Sequence, residues 1–143
     1  MRKALMALAA VAAMAFAPAG ASADDGQAPL KIDGATTVDA DSFIALFRST
    51  PELVVIDSRK PADYRDAHIQ EAVNLPNTET TEAALAEVVS AKDTPVAFYC
   101  NGLACGRAAD AVRKAVSFGY ENVHYYAKGM DEWNERGLPT VSE

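Results

Sequence analysis

The chain has 143 residues, 50% of them hydrophobic and 23% charged, with two cysteines and a formal net charge of −7. That length builds one well-buried core and excludes a multi-domain architecture. The acidic balance excludes ordinary nucleic-acid binding, which selects Lys/Arg-rich faces, and no basic amphipathic helix is present to hold the chain to an anionic membrane.

Residues 1–23 read as a secretory signal peptide. Arg2 and Lys3 precede an apolar run from Ala4 to Ala17, and Pro18-Ala19-Gly20-Ala21-Ser22-Ala23 supplies small residues for cleavage after Ala23. The run falls short of the ~20 residues that cross a bilayer, and no cysteine adjoins the cleavage site to carry a lipid. The expected location is the bacterial periplasm, with no membrane attachment after cleavage, so both cysteines meet an oxidising compartment. Residues 24–36, rich in Gly, Asp, Ala and Pro, read as a flexible leader, and residues 37–143 as the folded domain.

Within that domain Asp39 is placed to cap a helix over Ala40 to Arg48, where Phe43, Ile44 and Phe47 share one face. Leu53-Val54-Val55-Ile56 is a β-branched run with no polar alternation, as in a strand buried on both faces. Ala72 to Leu75 is a second strand candidate. Thr80 or Thr81 caps a helix to about Ser90, and Val96 to Tyr99 forms another buried strand ending at Cys100. Ala108, Ala111, Val112 and Ala115 give Gly106 to Phe118 helical spacing, closed by Gly119. Asn122 to Tyr126 is the next strand, and Met130 to Arg136 the last helix. Strands alternating with helices predict an α/β fold, a mostly parallel sheet of about five strands with helices on both faces. Ligands bind such sheets at the carboxyl ends of the strands, where Asp57-Ser58-Arg59 and the segment Cys100 to Arg107 both fall.

The second of these carries the chemistry. Cys100-Asn101-Gly102-Leu103-Ala104-Cys105-Gly106-Arg107 lies between a strand and a helix, so its amides and the first helical turn are expected to converge above Cys100 as an anion cradle. The same field favours the thiolate, the nucleophilic form of a cysteine. Gly102 and Gly106 allow tight turns, and Arg107 offers a planar fork to an oxyanion. A plain core cysteine at a strand end is the competing reading.

These residues resemble the rhodanese-like domains, over a stretch from about Thr37 to Val141. The likeness rests on Val54-Val55-Ile56-Asp57-Ser58-Arg59 with Tyr64, His68-Ile69, and Ala72-Val73-Asn74-Leu75-Pro76. It continues through Phe98-Tyr99-Cys100, Gly102 and Arg107, then Gly119-Tyr120, Asn122-Val123, Gly129-Met130, Trp133, Gly137 and Pro139. The resemblance implies a sulfurtransferase without a cofactor, in which Cys100 takes a sulfane sulfur from thiosulfate or a related anionic donor as a persulfide. The sulfur then passes to a thiol or cyanide-type acceptor. By the same resemblance the loop Asn101 to Arg107 holds the donor, and Asp57 and Arg59 either line the pocket or form a structural ion pair.

Two features depart from the pattern. The loop is about two residues longer than the family's usual one, which widens the cradle and leaves phosphatase or arsenate reductase chemistry open. Cys105 adds a second thiol in the same loop, and a disulfide to Cys100 forms if the Cα atoms lie about 4.4–6.8 Å apart. As a resolving thiol, Cys105 would make the protein a periplasmic thiol redox protein, with a redox partner, cycling a Cys100–Cys105 disulfide. As a static bridge or a free residue it would leave the chemistry to Cys100. A non-catalytic module that binds sulfur or an oxyanion is the third alternative. Two cysteines with His68 and His124 far away do not suggest a metal site. His68 reads as a structural hydrogen-bonding residue, His124 as a surface or edge residue, Lys128 as an ordinary solvated lysine or a cation at the pocket rim, and Trp133 as a core anchor.

Overall fold

The computed structural model describes residues 27–143, so the expected signal peptide lies outside the described residues. Five strands, β1 (Ala35–Thr37), β2 (Val54–Asp57), β3 (Val73–Asn74), β4 (Val96–Tyr99) and β5 (Val123–Tyr126), form one sheet in the order β1-β5-β4-β2-β3. Every pairing is parallel. Parallel neighbours need crossovers, and these are supplied by α1 (Ala40–Ser49), α2 (Pro61–Asp66), α3 (Glu82–Val88) and α4 (Arg107–Ser117), while α5 (Gly129–Glu135) follows the last strand. A short 3-10 turn, Asn77–Glu79, follows β3.

The pleat divides the core in two. Ile56, Val96, Phe98, Cys100, Val123 and Tyr125 face α3 and α4, where Leu85, Ala108, Ala111, Val112 and Ala115 complete the layer. Val55, Ala97, Tyr99 and Tyr126 face α1 and α5, packing on Ala40, Phe43, Met130 and Trp133. Phe43 stacks on Tyr126 with ring centroids 5.2 Å apart and meets Trp133 edge-on at 5.9 Å. The helices start where their caps dictate. Asp39 accepts from the Ser42 amide, and Thr81, rather than Thr80, accepts from the Ala84 amide.

The expected leader differs from what is observed. Ile32 is buried in the α4-side core, Ala35–Thr37 forms β1, and the Thr37 hydroxyl donates to the Leu30 carbonyl. Ordered structure therefore begins before Thr37, because the β5 edge offers unpaired backbone groups that even a short Ala-Thr-Thr strand can satisfy. His124 changes its place for the same reason. With β1 on one side and β4 on the other, β5 is an inner strand, and His124 is half-buried rather than on an edge.

Candidate active site

Strand β4 delivers Cys100 to the carboxyl edge of the sheet, on the α4 side of the pleat and only 1% exposed. Cys100 is joined in a disulfide to Cys105, with the Cα atoms 6.3 Å apart. The loop between them turns on a hydrogen bond from the Cys105 amide to the Gly102 carbonyl, 3.0 Å long. Of the amides from Asn101 to Ala109, that of Cys105 alone reaches an acceptor among the described residues. Gly106, the cap of α4, has no side chain to satisfy that helix's first turn. The start of α4 thus presents open N–H donors and the positive end of an 11-residue helix beside the cysteine pair. Cys105, expected among the cradle residues, spends its own amide in the turn.

The other side of the loop is gripped by α5. The Met130 amide donates to the Cys100 carbonyl at 3.0 Å and the Asp131 amide to the Asn101 carbonyl at 2.6 Å. Gly129 makes this approach possible, since its φ is +49° and a Cβ there would run into the Cys100 carbonyl. Gly102 is buried against the Asp131 carboxylate, where a methyl group would collide with it. From the N-terminal segment the Ala28 amide donates to the Leu103 carbonyl at 2.5 Å. A cavity of about 290 Å³ borders Leu103, walled by Lys128, Asp131, Glu132 and Glu135. Three carboxylates against one ammonium disfavour an anion there, and Lys128 is itself paired with Glu132 at 3.5 Å. The expected rim cation is therefore partly neutralised.

Asp57 and Arg59 form a buried ion pair beneath the loop. Their exposures are 0% and 5%, and Arg59 Nη2 donates to Asp57 Oδ2 at 2.7 Å. Arg59 Nη2 also donates to the Ala67 carbonyl, while Nη1 reaches Asn101 Oδ1 at 3.3 Å. The Tyr99 hydroxyl donates to Asp57 Oδ2 at 2.7 Å and accepts from the Ile69 amide. Burial works against the Arg59 charge, but the hydrogen bond and charge of Asp57 outweigh it and raise the pKa. Burial first, and then the Asp57 charge, push the Tyr99 hydroxyl far above its ordinary range. The pair is thus an ion pair within a buried network, and among the described residues its hydrogen bond to the loop runs to Asn101.

Arg107, in the first turn of α4, is half-buried and donates from Nη1 to Asn77 Oδ1 at 2.8 Å. Asn77 in turn donates from Nδ2 to Asp110 Oδ2, and its carbonyl accepts from Lys114 Nζ. Burial raises the Asp110 pKa, yet hydrogen bonds from Asn77 and Lys114 prevail and hold it below the usual carboxylate value. Asn77 was not among the expected site residues. Its signal was its place directly after the Asn74-Leu75-Pro76 strand end, and what identifies it is a partner 30 residues away.

His68 sits where a structural role predicts, its Nδ1 2.7 Å from the Tyr64 carbonyl and its ring stacked on Tyr64. Trp133 is buried and donates from Nε1 to the Pro139 carbonyl. Among the described residues no cluster of His, Cys, Asp or Glu has the arrangement of a metal site. No helix of the described residues is long and apolar enough to cross a membrane.

The model of the rhodanese-like domain matches residues 39–136. A helix-turn-helix-type transcriptional regulator of Mycobacterium tuberculosis is 38% identical over 92 residues, 64% of this chain and 39% of the regulator. The thiosulfate:glutathione sulfurtransferase of Saccharomyces cerevisiae is 30% identical over 100 residues, 61% of this chain and 68% of that enzyme. Among solved structures, the BH2092 protein of Bacillus halodurans superposes with a TM-score of 0.66 at 24% identity, covering 76% of this chain and 77% of its own. Several curated relatives are longer proteins, of which this chain spans between 39% and 62%.

Proposed function

Because the chain belongs to the rhodanese-like domain family, we propose that it is a sulfurtransferase whose nucleophile is Cys100. The observation that carries this reading is the position of Cys100, at the end of β4 and beside the uncapped first turn of α4, in a loop fixed from behind by α5. In the reduced protein the open amides favour the Cys100 thiolate and then the anionic end of the donor. That thiolate attacks the outer sulfur of thiosulfate, sulfite leaves with the bonding pair, and the sulfane sulfur stays on Cys100 as a persulfide. Arg107, steadied by Asn77, adds a fixed cation for the donor's oxygens. A thiol or cyanide-type acceptor then removes the sulfur. The disulfide form holds no thiolate and must be reduced first.

The expected export signal supports action in the periplasm on small anionic donors. The yeast relative's name, thiosulfate:glutathione sulfurtransferase, supports thiosulfate as a donor and a thiol as acceptor. A second reading, a thiol redox protein, is favoured by the Cys100–Cys105 disulfide itself. The test is thiocyanate formation from thiosulfate and cyanide by reduced protein lacking residues 1–23, beside Cys100→Ser. Turnover abolished by Cys100→Ser is the expected result. Absence of turnover and of any sulfur adduct in the unsubstituted protein would refute the reading.

A further inference from the structure

Cys105 stands in bonding contact with the atom that would carry the persulfide. Its Sγ shares a disulfide with Cys100, it is half-buried, and its backbone is anchored by the turn to Gly102. The partner side of that bond is held as firmly, since the carbonyls of Cys100 and Asn101 are fixed by Met130 and Asp131. No unfolding is required to bring the two sulfurs together, so a reaction between them is intramolecular and gains the advantage of held reactants. An external acceptor must first be bound and oriented and has no such advantage.

We propose that Cys105 is the built-in acceptor that ends the sulfur cycle, making this protein a dithiol-dependent sulfide-releasing enzyme. The proposal rests on the sulfurtransferase reading above and extends it. After thiosulfate has left its sulfane sulfur on Cys100, the Cys105 thiolate attacks Cys100 Sγ. The persulfide S–S bond breaks, and its electron pair departs with the outer sulfur as hydrosulfide, which takes the proton given up by the Cys105 thiol. A Cys100–Cys105 bond forms. The two cysteines are oxidised by two electrons and the sulfane sulfur is reduced to sulfide, so the sum is thiosulfate plus protein dithiol giving sulfite, sulfide and protein disulfide. The disulfide present in the structure is the product of this step. A dithiol reductant, as a small molecule or a protein carrying a vicinal cysteine pair, returns the enzyme to its starting state by exchange.

The experiment is a single turnover. Protein lacking residues 1–23 is reduced, freed of reductant under anaerobic conditions, and mixed with one equivalent of thiosulfate, with intact mass and free sulfide followed over time. The expected course is a transient gain of about 32 Da, as sulfur joins the cysteine. It gives way to a loss of about 2 Da, as the disulfide closes, with about one equivalent of sulfide released. Cys105→Ser and Cys105→Ala should stop at the heavier species and release no sulfide, while Cys100→Ser should do neither. A stable adduct in the unsubstituted protein without sulfide would overturn this proposal and leave sulfur transfer standing. Equal sulfide release by the Cys105 variants would overturn it too. No adduct and no sulfide in any form would remove the sulfurtransferase reading beneath it.

Discussion

Gly129→Ala should loosen the cysteine loop without altering the chemistry of any side chain of the site. At φ +49° an L residue costs about 1–2 kcal/mol relative to glycine. The new methyl group also points at the Cys100 carbonyl, a backbone atom that cannot rotate aside. Either α5 or the loop must withdraw, which loses the Met130-to-Cys100 and Asp131-to-Asn101 hydrogen bonds, each worth about 1 kcal/mol net. The total is about 3–4 kcal/mol, a large share of the ~5–15 kcal/mol that holds a domain of this kind. Gly137→Ala is the control, because φ there is +63° but a Cβ meets nothing within 4 Å. It should cost only the conformational part, about 1–2 kcal/mol. Urea unfolding measures both variants, and sulfur uptake by the reduced proteins measures the loop, where displacement of Cys100 should slow Gly129→Ala about tenfold or more. Equal stability of the two variants within about 0.5 kcal/mol, with uptake unchanged, would refute the idea that α5 fixes the loop.

Asp57→Asn leaves the Arg59 guanidinium buried without its counter-charge and should lower stability by about 3–5 kcal/mol in the same assay. Tyr99→Phe removes one donor to Asp57 and the acceptor of the Ile69 amide, for a loss of about 2 kcal/mol. Burial holds the His124 pKa below its ordinary value, so the unfolded chain takes up a proton that the folded protein resists. Stability should therefore fall as pH drops through about 6.5, and unfolding midpoints of His124→Gln between about pH 7 and pH 5.5 should lack that component of the slope. Asn77→Ala frees Arg107 from its partner and should raise KM for thiosulfate several-fold with kcat little changed, as expected for lost binding that is uniform along the reaction.

The elements with an apolar signature were legible in the sequence. The runs before Asp57 and Cys100 read as strands buried on both faces, and the alanine spacing of α4 as a helix, and the structure has both. What escaped had no such signature. Helix α2 buries none of its six residues, so Pro61 at its start was the only cue. Strand β1 is set by the edge it covers rather than by Ala-Thr-Thr itself, and that edge is known only once β5 is placed. At the site, the order Cys100, Gly102, Arg107 located the loop and its helix. The Asp57–Arg59 pair stayed ambiguous because two residues at and just past a strand end give no burial pattern. Their structural role shows only when Tyr99 and Ala67 close around them. The grip of α5 on Cys100 was present in the sequence as Gly129-Met130, but the reason for that glycine is the Cys100 carbonyl, 29 positions earlier and just past β4.

The strand order also sets when this molecule can become itself. Ala35 pairs with Val123, so the first strand to leave the ribosome waits for the last. A sheet closed by its two most distant segments has high contact order, and it assembles late and slowly compared with a locally connected fold. Cys100 and Cys105 are both synthesised before β5. Until β5 arrives and the core can close, they belong to an open chain, and the oxidant or reductant met in that interval acts on freely accessible thiols. Afterwards Cys100 is enclosed, and of the two cysteines the half-buried Cys105 is the more open to a dithiol reductant or an oxidant.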